Sequence, residues 1–163
     1  MTASSIAGKV QTVLGPVDPE SLGPTITHEH LLIDFRVVFQ PPNNPDEAGM
    51  AEEKLSLTNL GWIRHNWNSS LDNLTLLDEE VATAEASHYF GAGGRTMVDV
   101  TSNGLGRDPL ALARISKATG LNVVMGGGHY IGSTHPAEFE TTTAEGIAET
   151  IIRDIEQGVD GTG

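Results

Sequence analysis

The sequence predicts an α/β fold built on a parallel sheet. Three observations carry that expectation. Apolar, β-branched runs of strand length stand at residues 25–30, 95–100 and 122–126. Helical segments with clear start and stop signals follow the second and third of these runs, and another precedes the second. Glycines close most of these segments, at Gly91, Gly120 and Gly158. Alternation of this kind implies parallel strands joined by right-handed crossovers. By itself it does not separate a closed barrel from an open doubly wound sheet.

Taken in order, Lys9 to Leu14 reads as a strand stopped by Gly15-Pro16, and Val17 to Pro24 is turn chemistry. A small hairpin closing or flanking the first strand is expected. Residues 34–77 form a long excursion after that strand. Gln40-Pro41-Pro42-Asn43-Asn44-Pro45-Asp46 excludes regular structure. Residues 55–66 predict a short helix with Leu57, Leu60 and Ile63 on one side. Trp62 and Trp67 then serve either a functional loop or the core.

Asp78-Glu79-Glu80 opens a helix with acidic groups where the dipole favours them. Its expected buried stripe is Val81, Ala82, Ala86, Tyr89 and Phe90. Asp108 caps the next helix with Pro109 in its first turn, and Gly120 ends it. Thr142-Thr143-Ala144-Glu145 reads as a capping box. The helix it starts should turn Ile147, Ile151, Ile152 and Ile155 inward.

Within the first strand the pattern His28-Glu29-His30 stands out. Strand residues two apart point to one face and lie about 6.6 Å apart. Two imidazoles so placed can lean together on one cation, since ring nitrogens bind zinc at about 2.0–2.1 Å. A helix would turn the same pair away from each other. Glu29 should face the opposite side. The competing reading is two ordinary polar side chains close together, among six His in all. His129 and His135 follow the third strand and read as rim residues, His129 also as a candidate substrate contact or adventitious ligand. His65 and His88 lie in helical stretches and read as structural or exposed.

The totals narrow the function classes. The net charge is −13, with no block of five like charges. That argues against nucleic acid or an anionic membrane surface as partner. With no Cys there are no disulfides, thiolate ligands or Cys nucleophile. Residues 1–7 show no basic stretch leading into an apolar one, and no apolar run reaches spanning length, so a cytoplasmic location is the expectation.

Gly8-Lys9-Val10-Gln11-Thr12-Val13-Leu14-Gly15-Pro16-Val17 followed by Thr27-His28-Glu29-His30-Leu31 resembles the opening of the phosphotriesterase-related family of the amidohydrolase superfamily. Val98-Asp99-Val100-Thr101, Gly104-Leu105-Gly106-Arg107-Asp108, Thr119-Gly120-Leu121-Asn122-Val123-Val124 and Gly158-Val159-Asp160-Gly161-Thr162 continue the match in register. The resemblance implies a TIM-type (β/α)8 barrel and a metal-dependent hydrolase acting on an ester, lactone, phosphoester or amide. It implies two zinc ions per complete barrel, with His28 and His30 as ligands of the more buried ion. It implies a small-molecule substrate and allows a homodimer of the complete protein.

The last residues stand where that family begins its fourth strand. Residues 1–163 are therefore expected to be one incomplete domain, the hairpin plus three β/α units. The remaining ligands and the catalytic residues would lie beyond Gly163, and the chain alone would be inert, marginally stable or self-associating. An inert piece or a binding module is the rival from a different class. Dinucleotide binding is weaker. Gly104-x-Gly106 and Gly126-x-Gly128 each follow a strand, but neither completes Gly-x-Gly-x-x-Gly at a helix start.

Overall fold

The computed structural model describes residues 7–159 and 162. The N-terminal residues 1–6, and the Asp160-Gly161 part of the last matched motif, lie outside the described residues. The chain begins with β1 (Val10–Thr12) and β2 (Gly15–Val17), then β3 (Thr25–Glu29) and β4 (Ile33–Asp34). The excursion contains α1 (Leu60–His65) and ends at β5 (Thr75–Leu76). Then come α2 (Glu79–Gly91), β6 (Thr96–Asp99), α3 (Pro109–Thr119), β7 (Asn122–Met125) and α4 (Ala144–Gln157).

β3, β6 and β7 form a parallel sheet in that order, within a residue or two of the predicted runs. β6 sits in the middle. Thr96, Met97 and Asp99 are buried there, and Val98 is half-buried. On one face Met97 and Val123 meet α2 and α3 through Ala82, Ala86, Ala111, Leu112 and Ile115. Ala86, Ile115 and Val123 have no exposed surface.

The caps of α2 and α3 follow the sequence reading. Asp78 Oδ1 accepts from the Glu80 and Val81 amides at 3.0 and 3.1 Å. Asp108 Oδ1 accepts from the Ala111 amide, and Gly120 takes the left-handed conformation that ends α3. The stripe of α2 is narrower than expected. Ala82 and Ala86 are buried, whereas Val81 is 57% exposed and Phe90 lies at the surface beneath the Arg95 guanidinium. Small residues win the buried positions because α2 packs closely against its neighbours.

Other expectations need correction. Gly15-Pro16 does not stop the first strand, which ends at Thr12, but opens the return strand of the hairpin. A two-stranded ribbon is all edge, where Pro is tolerated. The hairpin docks on β7, since the Val13 amide donates to the Val123 carbonyl at 2.9 Å. Pro45 opens a 3-10 turn over Pro45–Ala51, capped by the Asn44 side chain.

The predicted 55–66 helix starts only at Leu60. Asn59 is buried, accepts from Ser56 and donates to the Lys54 carbonyl, which locks the preceding residues in a turn. Leu57 is consequently 91% exposed. Neither Trp is a core residue. Trp62 donates its indole N–H to Glu47, and Trp67 stacks on Phe35.

α4 is capped by Thr143, whose hydroxyl accepts from the Gly146 amide, one residue later than the capping box required. Ile147 is half-buried, but the other three predicted isoleucines are not inward. Ile151, Ile152 and Ile155 are 36, 52 and 51% exposed. What ties α4 to the body is polar: Arg107 Nη2 reaches Asp154 Oδ2 at 3.1 Å, with both side chains largely buried. Among the described residues no helix is long and apolar enough to cross a membrane.

The two glycines after β6 are required by close approach. Gly104 has φ +86°, and a Cβ there would lie 2.0 Å from the Thr134 carbonyl oxygen. Gly106 has φ +73°, and a Cβ would lie 3.0 Å from that of Asp34. These contacts explain Gly104-x-Gly106 without any phosphate. Gly104→Ala is expected to lower the unfolding free energy of the full chain by at least about 2 kcal/mol in chemical denaturation. Gly91→Ala, where nothing lies within 4 Å of the new methyl, is expected to stay within about 0.5 kcal/mol.

Candidate functional site

The site lies where β3 and β6 end. Thr25 pairs with Thr96 and Ile26 with Met97, but Glu29 pairs with Asp99. Three steps on β3 therefore oppose two on β6, which marks a bulge between Ile26 and Glu29. A bulge bends a strand and re-aims its side chains. His28 within it and His30 just after it line the same cavity. Their ring centroids are 5.6 Å apart and the rings meet edge to face at 78°. The cavity measures about 350 Å³. Its wall is mostly apolar, with Ile33, Phe35, Leu74 and Leu105 facing the two imidazoles and Tyr130 beside them.

The excursion supplies much of that wall. β4 and β5 pair antiparallel, Ile33 opposite Leu76. The Asp34 amide donates to the Leu105 carbonyl at 2.9 Å, and the Phe35 amide to the Leu74 carbonyl at 2.8 Å. These bonds hold the start and end of the excursion against the loop after β6. Phe35 also lies between Trp67 and Tyr130, with ring centroids 6.2 Å from each.

Below the cavity sits Asp99, fully buried at the end of β6. A buried carboxylate must have its oxygens satisfied. Asp99 Oδ2 accepts from the Leu31 amide at 2.8 Å and Oδ1 from the Thr101 amide at 2.9 Å. One side chain thus clamps the residue after His30 to the loop leaving β6. His30 Nδ1 in turn lies 2.9 Å from Thr101 Oγ1. Burial pushes the His30 pKa below its usual 6.5, the neighbouring Asp99 charge opposes that, and His28 adds to the lowering. A neutral imidazole is the form that binds a cation.

The donor set fits a divalent ion in part. Two imidazoles converge, and His30 has its Nδ1 engaged. Among the described residues no group of three or more His, Asp or Glu is placed to hold an ion. The pair would supply two ligands, short of the three or four that zinc takes from proteins.

His129 is not brought to this pair. Its ring packs with His135 and Phe139, at centroid distances of 5.8 and 4.6 Å. Its Nε2 lies 3.4 Å from Asn103 Nδ2. The residue this loop sends to the cavity is Tyr130. His65 and His88 are exposed on their helices. The sequence reading missed Asp99, Phe35 and Leu74 as contributors. An acidic residue inside the apolar run Met97-Val98-Asp99-Val100 was the available signal for Asp99.

Two outcomes are expected in the metal-free protein. Asp99→Ala strands two buried amides and should cost about 3 kcal/mol in denaturant unfolding, while Asp99→Asn, which keeps one acceptor, costs less. His30 has a lower pKa folded than unfolded, so between the two values the unfolded chain binds more protons. Its neutral ring therefore costs nothing at pH 7.5, and stability falls as the pH drops through 6.5 toward the folded value. Unfolding curves at pH 7.5 and 5.5 should show wild type losing more stability on acidification than His30→Gln.

Comparison with known proteins places this arrangement. A profile described as the Phosphotriesterase family matches residues 8–163. An N-acetyltaurine hydrolase of Tetraodon nigroviridis is 41% identical over 160 residues, covering 98% of this chain and 46% of that protein. The chain thus spans about half the length of the curated relatives it matches. Among solved structures, a resiniferatoxin-binding protein from Rhodobacter sphaeroides superposes with a TM-score of 0.92 at 39% identity, over 95% of this chain and 43% of that one. A double mutant of an organophosphorus hydrolase from Deinococcus radiodurans gives 0.64 at 28%, over 96% of this chain and 41% of that one. With a family profile running through nearly its whole length, this chain belongs to the phosphotriesterase family.

Proposed function

We propose that this chain carries the first-strand metal ligands and part of the substrate cavity of a metal-dependent hydrolase, on the first three β/α units of a (β/α)8 barrel. The observation that carries the reading is the His28–His30 pair, turned edge to face into one apolar cavity. Family membership supports hydrolysis. Relatives named for N-acetyltaurine hydrolysis favour an acyl amide as the bond cleaved, ahead of a lactone, ester or phosphoester.

In this reading His28 and His30 hold one of two zinc ions of the complete barrel. A divalent ion supplies Lewis-acid polarisation of the carbonyl and makes water acidic enough to serve as nucleophile near neutral pH. The chain's own residues prepare that chemistry. Burial favours the neutral form of His30, the form that binds a cation. The Asp99 clamp keeps the His30 backbone from moving when the ring is loaded. Ile33, Leu74 and Leu105 line the cavity beside the half-buried His30 and lower its access to water, which strengthens electrostatic interactions there, while His28 stays exposed. Phe35 and Tyr130 present ring surface to the part of the substrate that does not react.

A second reading, binding without turnover, draws on the apolar lining and on the Rhodobacter relative named for binding resiniferatoxin. One experiment separates the two. The full-length protein is assayed for zinc content and for hydrolysis of N-acetyltaurine, a lactone and a phosphotriester, before and after chelation and zinc return. His28→Ala and His30→Ala should lose tight zinc and activity together, and His65→Ala should keep both. Equal zinc in all three variants would sink the metal assignment. Tight zinc with no turnover on any substrate would favour the binding reading.

A further inference from the structure

We propose that Thr101 is a positioning residue for His30: its hydroxyl fixes the imidazole in the Nδ1–H tautomer and so leaves Nε2 as the free metal-binding atom. The proposal rests on the reading of His30 as a ligand and says how the chain prepares it.

The argument is one of hydrogen accounting. A Thr hydroxyl has one proton to donate and lone pairs to accept with. Thr101 Oγ1 lies 3.1 Å from the Leu32 carbonyl oxygen, which can only accept. Both residues are buried, at 1% and 7% exposure, and a buried carbonyl left without a donor is costly. The hydroxyl proton is therefore committed to Leu32. Toward His30 Nδ1, 2.9 Å away, Oγ1 can then only accept. Nδ1 must carry the proton, and in a neutral imidazole Nε2 is left with its lone pair.

The backbone makes this arrangement rigid. Asp99 holds the Thr101 amide with one oxygen and the Leu31 amide with the other. Both members of the His30–Thr101 pair are thereby fixed to one carboxylate. Thr is also β-branched, so its χ1 has little freedom.

The test uses the full-length protein labelled with 15N-histidine and stripped of metal. Two-bond proton–nitrogen spectra at alkaline pH report which ring nitrogen of His30 is protonated. Wild type should show protonated Nδ1 and a lone pair on Nε2. Thr101→Val, which keeps the shape and removes the acceptor, should lose that preference, and Thr101→Ser should keep it. In chelator competition Thr101→Val should bind zinc about 10–100-fold more weakly, with Thr101→Ser within about threefold of wild type. A wild-type His30 protonated at Nε2 overturns the proposal whether or not the Val variant folds. So does wild-type zinc affinity in Thr101→Val when His30→Ala has lost it. If His30→Ala keeps its zinc, the ligand reading fails, and the proposal goes with it, whatever the tautomer.

Discussion

The Asp99 carboxylate is the constraint on which the site depends. A charge with no exposed surface is expensive unless each oxygen finds a donor. Here the donors are two backbone amides from different segments, Leu31 after β3 and Thr101 after β6. Satisfying the charge therefore fixes where both segments go. The β3 chain is held just past His30, and the loop after β6 is held so that Thr101 faces the ring. The same carboxylate lies close enough to His30 to oppose the lowering of its pKa by burial. Packing, backbone direction and ring electrostatics meet at one side chain.

The long excursion after β3 then acquires a reason. It is not slack chain. Its two ends pair as β4 and β5, with the Phe35 amide donating to the Leu74 carbonyl and the Asp34 amide to the Leu105 carbonyl of the loop after β6. That brings apolar side chains beside the half-buried His30, while His28 stays exposed. Close approach is possible because Gly104 and Gly106 carry no side chain where Thr134 and Asp34 come near. The tryptophans add to this loop. Trp67 braces Phe35, and Trp62 pins the 3-10 turn through Glu47.

The helices divide into two kinds. α2 and α3 bury their small and branched residues against the sheet, and the main core lies there. α4 keeps an apolar face with three exposed isoleucines, and its buried tether is an ion pair from the loop after β6. Amphipathic spacing shows which side of a helix is apolar. It does not show whether a neighbour stands opposite, which depends on where other segments of the fold lie.

The sequence by itself determined the elements whose causes are local. Asp78, Asp108 and Gly120 act on backbone groups within a few residues, so the ends of α2 and α3 were legible. So were the three parallel strands, from runs of β-branched residues. The His28–His30 pair was legible from its spacing as a candidate same-face pair, though a bulge at His28 and the end of β3 before His30 also aim it. The tertiary structure decided what depends on contacts between distant segments. It put the hairpin on β7 and left Val81 and Phe90 outside. It turned His129 toward Phe139 and sent Tyr130 to the cavity. It also made Asp99 the buried clamp and Thr101 the partner of His30. A side chain's partner some seventy residues away leaves no periodic trace in the chain. Only the folded backbone brings them within hydrogen-bonding distance.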